Sequence, residues 1–230
     1  MNKKELLVCV LAKYPVSGNV KTRLASTIGD EYAVDLYKEL LLNTVREVQR
    51  AEISKHVLVA STDIKYKDEL VLLLRNEADV VFLTEKSLSS LIFRIFYEYL
   101  NKQQYKKVMV MCSDSPFIDA KLIEEAGKGL ENPRTVFISP SSDGGYSLIG
   151  MNTFVDLFSN VTMSRNDVFE NTVSLAKKSG FNVQVSRVID DIDTVDDLLT
   201  SYDKLKHSPN SSDKIKAQLR GIIEEYPAGR

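Results

Sequence analysis

The segment ELLVCVLAKYPVSGNVKTRL, residues 5 to 24, indicates the fold class at the start of the chain. Its first part, ELLVCVLA, is a continuous apolar run of the kind found in strands that are buried on both faces of a parallel sheet. The polar part that follows ends with Lys21 and Arg23, where a helix is predicted to begin. A buried strand, a polar loop and a helix together form the first unit of an α/β fold.

The loop after this strand has some features of a phosphate-binding loop. The pattern G-x-x-x-x-G-K-[ST] fits Lys21-Thr22, but it requires glycine at the positions of Pro15 and Val20. Cations at a helix N-terminus are mildly unfavourable unless an anion lies among them. Backbone N–H groups, a lysine and an arginine would suit a di- or triphosphate. From this segment alone, a solvent-exposed basic loop without a ligand is an equally good interpretation.

The rest of the chain alternates short apolar runs with longer segments of helical periodicity, which predicts a sheet covered by helices on both faces. Apolar residues recur at three- and four-residue intervals from Ala33 to Val48, behind Asp30 as a candidate helix cap. The predicted fold class is an α/β, three-layer α/β/α sandwich with a mostly parallel central sheet. Strands are predicted over 5–12, 57–61, 79–83, 107–112, 135–139 and 182–189, and further helices over 65–75, 88–101, 119–130, 165–179 and 194–205.

Composition argues against several classes of function. Thirty basic and 32 acidic side chains give a net charge of −2 without a polybasic tract, so neither nucleic acid nor an anionic membrane is an expected partner. The first apolar run is too short for a membrane span or a full secretory core, so a cytoplasmic location is expected. The two histidines and two cysteines lie in no obvious catalytic context, which leaves carboxylates, cations and bound metal.

The length of 230 residues, of which 43% are hydrophobic, predicts a single domain. We expect the nucleotide-binding domain to cover residues 1–206, and residues 207–230 to form a helical tail of the same domain.

A candidate metal ligand follows the predicted fourth strand. In α/β folds, ligands bind beyond the carboxyl ends of the strands. The sequence SDSP, Ser113 to Pro116, stands at this place after the apolar run VMVMC, so the side chain of Asp114 is expected to project into the crevice. An acidic residue here could instead cap the next helix, and Asp119 is the better candidate for that cap.

The segment after the fifth strand, PSSDGGYSLIG, covers Pro140 to Gly150. Its Gly144-Gly145 pair removes side chains where the backbone must turn or lie against a ligand, and Asp143 stands beside the pair. A simple Asp-Gly hairpin turn explains the same residues.

The segment after the sixth strand, DDIDTVDD, has five carboxylates in eight residues. Thr194 and Asp197 fit a capping box, which explains part of this run. Asp190, Asp191 and Asp193 would repel one another unless a cation lies between them, and their oxygen atoms favour Mg²⁺ or Mn²⁺. Cations after the first strand and carboxylates after the fourth and sixth strands indicate a nucleotide di- or triphosphate bound with its metal.

Four segments carry a resemblance to a known superfamily. KTRLA, SDSP, DGGYSLIG and DIDTVDDL, in this order over most of residues 5 to 200, resemble the nucleotide-diphospho-sugar transferases of GT-A fold. The most similar group is a poorly characterised branch labelled glycosyltransferase, which is related to 2-phospholactate and molybdenum cofactor guanylyltransferases.

The resemblance implies roles for individual residues. It assigns phosphate contacts and catalysis to Lys21 and Arg23, and metal ligation to Asp114, Asp193 and the neighbouring Asp191, with Asp114 also catalytic. Further candidates for substrate binding are Gly18, Thr22 and Arg94, together with Asp143, Gly144, Gly145 and Tyr146 on the acceptor side.

Two segments depart from the pattern of the branch. The chain has SSLIFR, Ser89 to Arg94, where relatives carry a G-D-L-G segment before the arginine, and Met163 where a tryptophan is expected. The function implied is metal-dependent nucleotidyl transfer to a small phosphorylated or hydroxyl acceptor. The alternatives are a glycosyltransferase with a nucleotide-sugar donor and a non-catalytic nucleotide-binding module.

Overall fold

The fold is built on a seven-stranded sheet, seen in a computed structural model that describes residues 4–75, 77–159, 161–163, 165–206 and 212–225. The strands are β1 Lys4–Leu11, β2 His56–Ser61, β3 Asp79–Phe82, β4 Tyr105–Met111, β5 Thr135–Pro140, β6 Tyr146–Met151 and β7 Asn182–Val185. The helices are α1 Thr22–Ile28, α2 Asp30–Arg50, α3 Lys67–Leu73, α4 Leu88–Phe96, α5 Ala120–Gly129, α6 Val168–Lys178, α7 Val195–Leu205 and α8 Asp213–Glu225. A 3₁₀ turn precedes α3, and a π-helical segment, Tyr97–Lys102, continues α4.

The strand order in the sheet is β3-β2-β1-β4-β6-β5-β7. All neighbouring pairs are parallel except those of β6, which runs antiparallel to both β4 and β5. This confirms the predicted mostly parallel α/β sheet. β6 is an addition to the predicted strands, because its sequence YSLIGM follows the Asp-Gly-Gly turn so closely that the pattern does not separate it from the turn. The hairpin interpretation of that turn is correct, since β5 and β6 pair directly.

Helices cover both faces of the sheet, as the continuous apolar strands predict. In β1, the side chains of Leu6, Val8 and Val10 pack on one face with α2 and α5. Leu7 and Cys9 point to the opposite face and pack with α4 and α6. This alternation along one fully buried strand produces the three layers.

A third apolar cluster lies beside the sheet and holds α1 in place. Leu24 and Ile28 of α1 are buried against Leu36 of α2, Leu198 of α7 and Leu219 of α8. Because α1 begins directly after Lys21, this cluster also fixes the position of the loop that follows β1. Among the described residues, no helix combines the length and the apolar character that a bilayer span requires.

The last predicted strand, 182–189, is too long, since β7 ends at Val185. Beyond this point, backbone carbonyl groups accept hydrogen bonds from serine side chains. Ser139 Oγ donates to the carbonyl of Arg187, and Ser147 Oγ donates to that of Ile189, both at 2.6 Å. These hydroxyl groups supply hydrogen-bond donors for the carbonyl groups of the segment after β7.

Two predicted caps are confirmed and one is wrong. Asp119 accepts a hydrogen bond from the Leu122 N–H at 2.9 Å, and Thr194 with Asp197 forms the capping box of α7. Asp30, by contrast, is the first residue of α2 and does not cap it. The N-cap is Gly29, whose φ of 87° favours glycine.

Candidate active site

A cleft of about 530 Å³ opens at the carboxyl end of the parallel strands. It is lined by the loops after β1, β2, β3 and β4, the turn between β5 and β6, and the segment after β7. This is the edge of an α/β sheet at which ligands bind, and the volume lies in the usual range for small-molecule sites.

Three aspartates meet in this cleft. Asp114 follows β4, while Asp191 and Asp193 follow β7, and each contributes one carboxylate oxygen to a group whose members lie within 4.8 Å of one another. Within the described ranges it is the single group of three or more potential metal ligands. All three ligands are hard oxygen donors, so the residues fit Mg²⁺ or Mn²⁺. The predicted meeting of carboxylates from the two segments is thus observed for Asp114, Asp191 and Asp193, while Asp190 bonds to the Ser142 N–H and to Lys204 instead. Metal binding by the three stays a prediction.

Buried hydroxyl groups hold the loop that carries Asp114. Ser113 Oγ lies 2.9 Å from Tyr37 Oη, and Ser115 Oγ donates to the backbone carbonyl of Asp190. Both serines are buried. The loop after β4 is thus joined to α2 on one side and to the segment after β7 on the other.

Lys21 lies at the centre of the three aspartates. Its Nζ is 2.7 Å from Asp193 Oδ1, 2.9 Å from Asp114 Oδ2 and 3.9 Å from Asp191 Oδ2, and its side chain is only 3% exposed. Its backbone adopts the left-handed conformation, with φ of 46°, which is uncommon for a residue other than glycine. The sequence placed Lys21 in the site, but predicted a phosphate rather than these carboxylates as its contact.

Burial and the charges of the cluster oppose each other in their effect on the pKa of Lys21, but burial and the charge of Asp114 act together on the pKa of Asp191. Burial alone would lower the pKa of Lys21, but the attraction of Asp114 and Asp193 outweighs it and the pKa is raised. The pKa of Asp191 is raised to about 6, by burial first and then by the negative charge of Asp114, although Lys21 opposes the shift. One ammonium group therefore does not fully compensate the three carboxylates.

Four predicted substrate-binding or catalytic residues lie apart from the cluster. Gly18 is exposed with φ of 75°, and Thr22 and Arg23 are exposed at the start of α1. Arg94 lies on α4, where it pairs with Glu85 and Glu98 at 3.7 and 3.9 Å. None of the four lines the cleft in this structure, and their contacts with a substrate stay predictions.

The turn between β5 and β6 forms the opposite wall of the cleft. Asp143 Oδ1 accepts hydrogen bonds from the Gly145 N–H at 2.9 Å and from Ser141 Oγ. Asp143, Gly145 and Tyr146 line the cleft. Gly144 instead packs against the backbone of Asn166. A Cβ at position 144 would lie 1.9 Å from the carbonyl oxygen of Asn166.

Tyr146 belongs to this wall of the cleft, but its side chain is packed in the protein interior. Its hydroxyl group lies 3.8 Å from the sulfur of Met163, the residue found where relatives carry tryptophan. Burial raises the pKa of Tyr146, so the hydroxyl stays protonated. It can therefore serve as a hydrogen-bond donor but not as a base.

Positive charge in the cleft comes from the loops after β1 and β3. Of the residues that line it, those with positive charge are Lys13, Lys21 and Lys86, on the loops after β1 and β3. The half formed by the β5–β6 turn carries Asp143 and no lysine or arginine among its lining residues in the described part of the chain.

Two cleft residues are not predicted by the sequence patterns. Tyr37 fits the apolar stripe of α2, yet its hydroxyl accepts a hydrogen bond from the Lys13 N–H at 3.0 Å. Glu85 follows β3, and its Oε2 is buried without a hydrogen-bond partner among the described residues. The signal that could have identified Glu85 is its position shortly after a strand, which is the same signal that identifies Asp114.

The segment SSLIFR, Ser89 to Arg94, lies within α4, directly after its first residue Leu88. Ser87 Oγ accepts from the Ser90 N–H at 3.2 Å, and Ser90 Oγ accepts from the Ser87 N–H at 3.3 Å, which makes a capping box. Ser87, Leu88 and Leu91 line the cleft. The altered residues thus form an ordered helix start beside the site.

Solved structures of known proteins share this fold. A provisionally named nucleotide-diphospho-sugar transferase from Desulfovibrio desulfuricans G20 is similar over 96% of this chain and 97% of its own, with a TM-score of 0.87 and 26% identity. A cytidylyltransferase from Leptospira borgpetersenii serovar Hardjo-bovis (strain JB197) has a TM-score of 0.55 and 15% identity, and the alignment covers 99% of this chain and 96% of that one. A 4-diphosphocytidyl-2C-methyl-D-erythritol synthase from Anaerococcus prevotii DSM 20548 has a TM-score of 0.57 and 12% identity, with 89% and 97% covered.

These similarities confirm the fold that the four sequence segments predict, that of the nucleotide-diphospho-sugar transferases. No curated protein has a significant sequence match to this chain. The sequence profile of a family described as uncharacterized proteins conserved in bacteria, DUF2064, matches residues 44–165, which is more than half of the chain, and the chain therefore belongs to this family.

Proposed function

We propose that this protein is a metal-dependent transferase that acts on a nucleotide di- or triphosphate and transfers a nucleotidyl group to a small acceptor. The observation that carries the proposal is the convergence of Lys21 with Asp114, Asp191 and Asp193 in a cleft at the carboxyl end of the sheet. The similarity to the Desulfovibrio desulfuricans protein over nearly the whole of both chains supports a transferase.

The residues of the cleft suit an in-line displacement. An acceptor oxygen attacks the α-phosphorus and forms the new P–O bond, while the bond to pyrophosphate breaks and pyrophosphate leaves with the electron pair. The ammonium group of Lys21 would neutralise charge on the phosphate oxygens. A divalent ion held by Asp114, Asp191 and Asp193 would supply further charge neutralisation at these oxygens.

Asp143 is the candidate base for the acceptor. It lines the cleft on the turn between β5 and β6, and its Oδ1 accepts a hydrogen bond from the Gly145 N–H, which orients the carboxylate. A carboxylate in this position would accept the proton that the acceptor hydroxyl loses as it attacks.

The charges of the cleft favour an uncharged hydroxyl acceptor over a phosphorylated one. The half with Asp143 has serine hydroxyls from Ser141 and Ser147 and no cation among its lining residues in the described chain. A phosphate group here would meet the carboxylate of Asp143, and like charges that lie close together repel each other. Hydroxyl groups, by contrast, can donate to the carboxylate and to the serine oxygens, whose own protons are already donated to Asp143 and to the Ile189 carbonyl.

Glycosyl transfer from a nucleotide sugar is the second candidate function. It is favoured by the Desulfovibrio desulfuricans protein, whose name refers to nucleotide-diphospho-sugars and which is 26% identical to this chain. In that reaction the same lysine and carboxylates would neutralise the diphosphate of the leaving nucleotide.

A ligand screen separates the two functions. Melting temperatures are measured with the four ribonucleoside triphosphates and with a panel of sugar nucleotides, each with and without Mg²⁺ or Mn²⁺. Ligand binding to the folded state raises the melting temperature. Nucleotidyl transfer is supported if triphosphates raise the melting temperature in the presence of metal and if pyrophosphate is released when a polyol is added. Glycosyl transfer is supported if sugar nucleotides give the larger rise in melting temperature. If no nucleotide changes the melting temperature, both candidate functions are contradicted.

A further inference from the structure

The ammonium group of Lys21 occupies the point at which the three carboxylates could hold a metal ion. It is hydrogen-bonded to Asp114 and Asp193 and lies 3.9 Å from Asp191. These are the same three residues whose oxygens lie within 4.8 Å of one another. The ion pairs are shielded from water on the lysine side, because the Lys21 side chain is almost fully buried.

A metal ion and this ammonium group compete for the same three carboxylates. Mg²⁺ lies about 2.1 Å from its oxygen ligands, so it would draw on the carboxylates that now accept the N–H groups of Lys21. Two cations side by side would also repel each other strongly in a partly buried cluster. Metal binding therefore requires that the ammonium moves or that an anion enters beside it.

We propose that Lys21 acts as an internal cation that blocks the metal site until a phosphate-bearing ligand draws it away. This inference rests on the proposed function, since it takes the metal and the nucleotide to share the cleft. The phosphate offers Lys21 new oxygen partners, and the carboxylates that it leaves become ligands for the divalent ion. Metal and nucleotide then bind together, and each raises the affinity for the other by the same factor.

The backbone at Lys21 is consistent with this role. Lys21 precedes α1, and its carbonyl accepts a hydrogen bond from the Ala25 N–H at 2.8 Å, so its main chain is fixed. The anchoring of Leu24 and Ile28 in the apolar cluster holds α1 itself. Only the flexible end of the lysine side chain has to move between carboxylate and phosphate.

Titration with Mn²⁺ alone tests the proposal on the full chain. Free Mn²⁺ is followed by electron paramagnetic resonance with the parent protein, Lys21→Met and Lys21→Gln, in the absence of nucleotide. Both variants should bind Mn²⁺ at least tenfold more tightly than the parent. Lys13→Met is the matched control: Lys13 lines the same cleft and its Nζ bonds to the backbone of Asn19, so its loss should leave Mn²⁺ affinity close to that of the parent.

The parent protein supplies an independent arm that needs no variant. Mn²⁺ alone should leave its melting temperature unchanged up to millimolar concentration, while Mn²⁺ with inorganic pyrophosphate should raise it. Tight binding of Mn²⁺ alone by the parent, or Lys21 variants without a gain in affinity, would overturn the blocking role. Failure of the proposed function looks different: nucleotides and pyrophosphate would then have no effect with Mn²⁺, whatever the Lys21 variants do.

Discussion

The hydroxyl groups of Tyr37 and Ser113 lie 2.9 Å apart in the protein interior and join α2 to the loop that carries Asp114. The same tyrosine oxygen accepts a hydrogen bond from the Lys13 N–H, so one side chain links the loops after β1 and β4. Burial and the nearby charge of Asp114 raise the pKa of Tyr37 to about 12, and the group stays a neutral phenol at physiological pH. Its function in the site is to position the loops.

Replacement of Tyr37 by phenylalanine removes this link without changing the shape of the ring. The Lys13 N–H and the Ser113 hydroxyl each lose a partner, and we expect a loss of about 1–3 kcal/mol in the free energy of unfolding. Metal-dependent stabilisation by nucleotide should also fall, because Asp114 is less well positioned. Urea denaturation and thermal shifts measure the two effects. Tyr66→Phe, on a ring that stacks on Tyr14, is the control, and equal losses in both variants would contradict the positioning role.

Gly144 is required by close packing as well as by its backbone conformation. Its φ is 88°, and a Cβ would lie 1.9 Å from the backbone carbonyl of Asn166. We expect Gly144→Ala to destabilise the protein by about 2 kcal/mol or more, because the backbone must shift. Gly221 lies inside α8, and a methyl group added there would have no atom within 4 Å, so Gly221→Ala should stabilise by roughly 0.5–1 kcal/mol. Thermal unfolding of the two variants measures whether the first is destabilised and the second stabilised. If Gly144→Ala keeps the stability of the parent, the turn can relax around the added methyl group.

The raised pKa of Asp191 predicts a pH dependence of stability. The folded-state pKa is about 6, above the ordinary value of 3.8, so the folded protein favours the protonated form. The contribution is fully present below about pH 4 and is lost as the pH rises through 6. Relative to Asp191→Asn, the metal-free parent should therefore lose melting temperature between pH 4 and 6. If the melting temperatures of the parent and of Asp191→Asn change equally between pH 4 and 6, the raised pKa of Asp191 is refuted.

Much of the fold could be predicted from local patterns in the sequence. The strand before Asp114 is recognisable as an apolar run, and β7 before the Asp190–Asp197 segment is recognisable by its alternating valines, although it is shorter than predicted. Parallel strands place their carboxyl ends at one edge of the sheet. The caps at Asp119 and Thr194 depend only on residues within three positions, so they too can be predicted locally. These rules predict that Asp114 lies near the carboxylates of Asp190, Asp191 and Asp193. The resemblance selected Asp191 and Asp193, whereas Asp190 pairs with Lys204.

The contacts of Lys21 could not be predicted in the same way. Lys21 is 93 positions from Asp114 and 172 from Asp193, and its direction is set by the packing of α1 on three other helices. No local pattern encodes that packing. The same holds for Glu85, whose buried oxygen is apparent only when the loop after β3 is seen against the cleft.

Glu85 should contribute to nucleotide binding through its unpaired oxygen. Oε1 lies 3.7 Å from Arg94 Nη1, while the buried Oε2 has no partner in the described structure. Because Glu85 lines the cleft, a rotation of its side chain would let this oxygen accept a hydrogen bond from an N–H group of a ligand. We expect Glu85→Gln to weaken binding of the preferred nucleoside triphosphate about tenfold, because the amide presents a donor on one side. Isothermal titration with each of the four triphosphates measures the change. Glu98→Gln, which alters the other partner of Arg94, should have little effect, and a Glu85→Gln variant with unchanged affinity would remove this residue from the site.

Asp143 offers the sharpest test of the proposed chemistry. Asp143→Asn keeps the hydrogen bond that its Oδ1 accepts from the Gly145 N–H but removes the ability to take up a proton. If Asp143 is the base, the transfer rate should fall by about 10²- to 10⁴-fold, while nucleotide affinity and melting temperature stay close to those of the parent. Single-turnover release of pyrophosphate, measured beside nucleotide binding, separates these quantities. Asp35→Asn, exposed on α2, controls for the loss of one negative charge. A variant that turns over at the parent rate would exclude Asp143 as the base, and a variant that loses nucleotide binding and rate together would assign it to substrate binding instead.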